Sequence, residues 1–283
     1  MSTTTPDELP ATADARNDTA RSSPLLPALS LCRRELVRFL RQRHRIIGAL
    51  ATPLVFWLLI GGGMNRSFKS DMPGGETYLH YFFPGTVLMI LLFTAIFSTI
   101  SVIEDRREGF LQGVLVAPVS RMSIVLGKIL GGTILAFGQG LVFLLLAPFV
   151  GIHLTVESFL LACLVMLLVS FALTALGLCI AWRMSSTQGF HAIMNLFLMP
   201  LWFLSGAMFP VSGAWRGLGM IMMLNPLTYG LAALRRAMYW RAADATGTLP
   251  GLATSLLVSA AFALLMFALA SAIATGRTKA DLE

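Results

Sequence analysis

Seven stretches of this chain, residues 46–65, 77–103, 129–156, 158–182, 184–215, 217–234 and 245–276, contain no Asp, Glu, Lys or Arg. A helix needs about 20 apolar residues to cross the hydrocarbon core of a bilayer, and each run is near or above that length. Only 12% of all residues are charged, where a soluble domain carries about 25%. So few charges cannot cover a surface that faces water. The solvent this fold expects is lipid, and the fold class is an all-α polytopic membrane protein with six or seven spans.

The formal net charge is +7. The Lys and Arg residues cluster beside the apolar runs, where they orient spans and attract anionic headgroups. No nucleic-acid motif accompanies them, so no nucleic-acid partner is expected. Cys32, Cys163 and Cys179 have no metal or redox spacing and read as small packing residues. Residues 1–24, rich in Thr, Asp, Ala, Pro and Ser, read as a disordered cytoplasmic tail. They lack the basic and apolar regions of a secretory signal. Residues 277–283 read as a second cytoplasmic tail.

Residues 25–45 have helical periodicity. Leu29, Cys32, Leu36, Phe39 and Leu40 fall on one face, and Arg34, Arg38, Arg41 and Arg45 recur on the other. This predicts an amphipathic helix lying in the membrane interface; the plainer alternative is a solvated basic flank that sets topology. Spans follow at about 46–64, 81–103, 124–150, 159–182, 190–209 and 251–274. Within 217–234, Asn225 suits an N-cap and Pro226 a first helical position. The run therefore predicts two short helices in a re-entrant or interfacial hairpin, with a seventh full span as the competing reading. With six spans and an internal N-terminus, thirteen Lys and Arg residues lie inside. Six lie outside: Arg66, Lys69, Arg216, Arg235, Arg236 and Arg241. That bias places both termini in the cytoplasm.

No Walker A pattern occurs: Gly127-Lys128 lacks the upstream glycine and the following hydroxyl residue. This chain is not expected to hydrolyse ATP. The spans hold few polar groups that could couple transport to an ion. Lys128 lies near a span end and can snorkel, while His191, Gln139 and Asn195 read as packing or anchoring residues. No HExxH, paired-Asp or GxSxG motif is present, so an enzyme is poorly supported. Gly127 and Gly131 are spaced for close helix contact, either within the chain or between two copies.

Residues 104–120 read EDRREGFLQGVLVAPVS. Glu104, Asp105, Arg106, Arg107 and Glu108 cannot enter hydrocarbon, so they face cytoplasm or a protein partner. Phe110, Leu111, Val114, Leu115 and Val116 can form a short helix closed at Pro118. Continued through LGKILGG at 126–132, this stretch resembles the signature of type-2 ABC exporter permeases. The likeness is to the branch that includes daunorubicin-resistance and nodulation lipo-oligosaccharide export permeases. MNLFLMPLWFLSGAMFPVSG at 194–213 and LNPLTYGLAALR at 224–235 extend it, and the resemblance covers about residues 25–276.

The resemblance implies roles for particular residues. Glu104, Asp105, Arg106, Arg107, Glu108, Gly109 and Phe110 would couple to an ATPase. Arg34, Leu36, Arg38, Leu40 and Arg41 would belong to the helix on the inner leaflet. Pro210, Asn225, Pro226 and Tyr229 would form an outer gate within a hairpin over 211–240, between the fifth and sixth of six transmembrane helices. It also implies a permease in the bacterial plasma (inner) membrane, with no cofactor bound by this chain. Two ABC ATPase subunits would bind ATP and Mg, and a second permease copy would complete a homodimer. Cargo would be an amphipathic, lipid-like, drug or glycan molecule leaving the cytoplasm or inner leaflet. An intramembrane lipid-modifying enzyme and a non-transporting scaffold for an ATPase are the alternatives.

Overall fold

Lipid offers the backbone no hydrogen bonds, so apolar runs of this length fold as helices that satisfy their own amides. A computed structural model describes residues 25–64, 77–116, 119–240 and 249–276, and they contain α-helices, two short 3₁₀ turns and no strand. The α-helices are α1 (Leu25–Arg41), α2 (Arg43–Met64), α3 (Tyr78–Ser98), α4 (Ile100–Arg107), α5 (Phe110–Val116), α6 (Arg121–Leu144), α7 (Val156–Ala181), α8 (Thr187–Phe203), α9 (Arg216–Leu224), α10 (Pro226–Met238) and α11 (Leu252–Gly276). Hydroxyl caps start three of them. Ser120, Thr155 and Ser186 accept from the amides of Ser123, Ser158 and Gly189, which opens α6, α7 and α8.

Among the described residues, five segments are long and apolar enough to cross a membrane: Ile46–Met64, Tyr78–Arg107, Arg121–Val150, Val156–Ala181 and Leu252–Gly276. Helix α8, at 17 residues, is shorter, about 26 Å at 1.5 Å per residue. It still connects the two ends of the bundle. Near its start, Trp182, Met184 and Ser185 offer carbonyls to Arg106 and Arg107. Just beyond its end, the Gly206 carbonyl accepts from Tyr81. The expected span at 190–209 thus begins three residues earlier and ends six earlier, because Gly206 turns the chain in a left-handed conformation (φ +86°).

The second span also differs. Its helix continues past Ile103 through Arg107, with a slight break at Thr99, so Glu104–Arg107 lie in the last turn of α4 and not in a loop. Gly109 (φ +76°) then makes the turn into α5. Helices α9 and α10 meet at 83°. The Asn225 Oδ1 atom caps α10 by accepting from the Leu227 amide at 3.0 Å, and Nδ2 donates to the Leu201 carbonyl at 2.6 Å.

Helix α3 is the hub. Its side chains are buried along nearly the whole length, and it packs on α2, α6, α7, α8 and α10. A second core joins α1, α4, α5 and the start of α6 to the ends of α7 and α11. Leu31, Leu111, Ile124, Trp182 and Ala274 belong to it. The first and last described helices therefore contribute to one shared core. The tails 1–24 and 277–283, the basic residues Arg66, Lys69 and Arg241, and Pro118 lie outside the described residues.

Helix α1 is rotated from the expected position. Ala28, Leu31, Cys32, Glu35 and Phe39 are its buried face, while Leu29 and Leu40 are exposed. Its apolar stripe is divided between α6 and the surroundings. The glycine spacing on α6 explains the contact: a Cβ on Gly127 would lie 2.7 Å from the Ala28 carbonyl oxygen, and one on Gly131 would lie 2.9 Å from the Glu35 Cβ. The two glycines are an intrachain seat for α1.

Candidate functional site

Where α1 crosses α4 and α6, charges meet inside the protein. Glu35 comes from the buried face of α1, Asp105 from α4 and Lys128 from α6. Their side chains are 8%, 0% and 3% exposed. The Lys128 Nζ atom donates to Glu35 at 2.6 Å, to Asp105, and to the Ser101 hydroxyl at 3.3 Å. That satisfies the three donors of an ammonium group. From the rim, Arg34 grips both Asp105 oxygens, at 2.7 and 2.9 Å. Arg38 donates to Asp105 at 2.8 Å and reaches Glu104 at 2.9 Å and Glu108 at 3.2 Å. The hydrogen bonds to Asp105 push the Arg34 guanidinium above its ordinary pKa. Its flat face also lies 3.6 Å from the centre of the Phe110 ring, a cation–π contact that brings the start of α5 into the group.

The seven residues expected to couple to an ATPase thus do different work. Asp105 is wholly buried and organises the cluster. Arg106 donates to the carbonyls of Trp182 and Met184, and Arg107 to that of Ser185, so both fasten the α7–α8 connection. Glu104 and Phe110 are half-buried, and Gly109 makes the turn. Arg107 and Glu108 present the exposed surface. Of the α1 residues, Arg34 and Arg38 enter the cluster, Leu36 is half-buried, and Leu40 and Arg41 are exposed. At the far end, Asn225 is buried, and Pro210, Pro226 and Tyr229 are half-buried.

Glu35 carries no expectation from the sequence, and Lys128 reads there as a snorkelling residue. Their partnership spans 93 positions. The available signal was an acid set inside the apolar stripe of a basic helix, matched by a lone lysine in an apolar span.

A cavity of about 620 Å³ opens beside the cluster, between α2, α3 and α8. Met89, Phe93, Phe97 and Met199 make its apolar walls; Glu104, Thr187 and His191 bring polar groups to it. The His191 ring lies tilted against Phe97, with the centroids 4.9 Å apart. No group of side chains suited to a metal ion occurs among the described residues.

The sequence pattern of the family described as ABC-2 type transporter matches residues 28–239, from the seat of α1 to the end of α10. The chain belongs to that family. This ABC-2 type chain is 28% identical over 208 residues to a protein of Cyanophora paradoxa named putative transport permease ycf38, covering 72% of this chain and 71% of the relative. The relative of the same name in Porphyra purpurea is 27% identical over 209 residues, covering 73% and 72%. Nodulation protein J of Sinorhizobium fredii (strain NBRC 101917 / NGR234) is 28% identical over 195 residues, covering 68% and 73%.

Proposed function

We propose that this ABC-2 type chain is the membrane-spanning permease of an exporter whose ATP hydrolysis occurs in separate ATPase subunits, and that its cargo is an amphipathic, lipid-like molecule. Two copies of the chain and two ATPases form the working unit, in a bacterial plasma membrane with both termini cytoplasmic. ATP and Mg belong to the ATPases; this chain is not itself an enzyme.

One observation carries the reading: Glu104 belongs to both the charge cluster and the cavity. Its carboxylate is held by Arg38 of α1 at 2.9 Å, and the same residue lines the cavity. Force delivered to α1 and α4 therefore bears on the cavity wall, which Phe39 of α1 and Ile100 and Glu104 of α4 line, and the Arg38–Glu104 pair ties the two helices together there. The cavity's aromatic and Met walls fit an apolar chain, and its polar end fits a headgroup. A motor shifts such a protein between inward- and outward-facing states only through contacts that differ between them. The exposed Arg107 and Glu108, next to the cluster, are where those contacts are placed. The hairpin of α9 and α10 then closes the exit at the other end.

The test is Glu104→Gln in liposomes with the cognate ATPase. Basal ATP hydrolysis and complex yield should hold while cargo-stimulated hydrolysis falls about tenfold, the loss of roughly 1.4 kcal/mol of coupling. Full stimulation in that variant removes Glu104 as the link.

A further inference from the structure

At the end opposite the charge cluster, Arg235 of α10 is a buried cation with no carboxylate partner among the described residues. It is 6% exposed. Its Nη2 atom donates to the carbonyls of Gly206 at 3.1 Å and Tyr81 at 3.3 Å, and its Cζ lies 4.0 Å from the centre of the Tyr81 ring. The Nε atom is buried and makes no hydrogen bond. Among the described residues no carboxylate pairs with it, whereas in the inner cluster every buried charge has an opposite partner. The neighbouring Arg236 donates to the carbonyls of Leu249 and Pro250, but it is half-buried. A buried charge is ordinarily paired, because desolvation without pairing is expensive.

The arrangement around Arg235 joins three elements. Tyr78 and Tyr81 of α3 donate to the carbonyls of Met208 and Gly206. A Cβ on Gly85 would lie 2.9 Å from that of Ala207, so the turn after α8 is pressed against α3. Arg235 bonds to both α3 and this turn from α10. The Nε and Nη2 atoms form one edge of the guanidinium, the edge that grips a carboxylate or phosphate through two parallel bonds. Here one atom of that edge rests on carbonyls and the other is empty-handed. Bonds from Arg to an anionic oxygen are roughly twice as strong as bonds to neutral acceptors, so an anion on this edge competes with the carbonyls through which Arg235 joins α10 to α3.

We propose that Arg235 receives the anionic headgroup, phosphate or carboxylate, of the transported amphiphile, and that taking it releases the α9–α10 hairpin. This rests on the reading of the hairpin as the exit and deepens it by naming the cargo's charge.

The test uses the purified chain in dodecyl maltoside, without ATPase or ATP. Thermal unfolding is followed with dihexanoyl phosphatidic acid, dihexanoyl phosphatidylcholine or inorganic phosphate at matched ionic strength. Phosphatidic acid should raise Tm by a few degrees more than phosphatidylcholine. Arg235→Gln should lose that difference, Arg235→Lys should keep part of it, and Arg183→Gln, at an exposed arginine outside both the charge cluster and this site, should keep it all. An undiminished difference in Arg235→Gln, no difference in the wild type, or equal stabilisation by inorganic phosphate overturns the proposal. Should Arg235→Gln not fold, hydrogen exchange on the wild type decides. Phosphatidic acid, and not phosphatidylcholine, should change exchange in 204–210 and 226–238; no headgroup-specific change there rejects the site. Transport that fails although this binding succeeds would count against the exporter reading alone.

Discussion

Lys128 shows how one buried charge depends on another. Removing it leaves Glu35 with only the 3.4 Å contact to Arg34, while Asp105 keeps Arg34 and Arg38. Breaking a buried pair by deleting one partner costs about 3–5 kcal/mol. Lys128→Met should fall near the lower end of that range, since only one of its two carboxylates is stranded. Glu35→Gln made in the same chain removes the stranded charge. The double variant should therefore be more stable than Lys128→Met alone, with a coupling of roughly 1–3 kcal/mol. Tryptophan-monitored unfolding of the four proteins in detergent checks the sign, and additive losses would show that the two side chains do not interact. The sequence displayed both residues but not their pairing. Lys128 near a span end satisfies the snorkelling pattern equally well, and only the fold brings Glu35 within 2.6 Å of it.

At the scale of elements, α1 docks because α6 has no side chains at Gly127 and Gly131. Leu at Gly131 places a side chain where Glu35 now packs, so α1 must lift away from α6. Cys32 reports this. It is buried on the docked face, and burial first, then the nearby Glu35, pushes its thiol above the ordinary value, which suppresses the reactive thiolate. In a chain with Cys163 and Cys179 replaced by Ser, Gly131→Leu should raise alkylation of Cys32 by iodoacetamide about tenfold, equivalent to easing local opening by roughly 1.4 kcal/mol. An unchanged rate would mean that α1 is seated by other contacts. The element boundaries were unevenly legible. The break at Asn225 carries its own chemistry, a capping amide followed by proline, and is visible in two letters. The extension of α4 through Glu104–Arg107 is not, because charges at a span's end look like a loop unless Arg34, Arg38 and Lys128 are known to neutralise them. The facing of α1 was half visible: its apolar stripe is real, but it serves two neighbours, and a single sequence does not say where one ends and the other begins.

For the whole molecule, the two ends of the bundle use charge differently. One end holds paired charges in a mutually bonded group that ties α1, α4 and α6 together. The other holds arginines bonded to carbonyl oxygens, a cheaper set of contacts to exchange. Under the proposed function, the mutually bonded end suits transmission of force and the exchangeable end suits release. This division predicts that the two faces of the charged segment respond differently to substitution. The Glu108 side chain is 59% exposed and only borders the cluster, so Glu108→Lys should leave the melting temperature nearly unchanged, as surface substitutions usually do within about 0.5 kcal/mol. If the segment meets an ATPase, the same reversal should sharply reduce co-purification of the ATPase, more strongly at low salt than at high, because exposed charges are screened over roughly 10 Å at 0.1 M. Asp105→Asn should do the opposite, lowering stability first and partner binding only as a consequence, since Asp105 has no exposed surface with which to touch a partner. Measuring yield of the complex and melting temperature together for the two variants separates surface from strut. Equal loss of both in both variants would show that the segment acts as one structural block with no dedicated docking face.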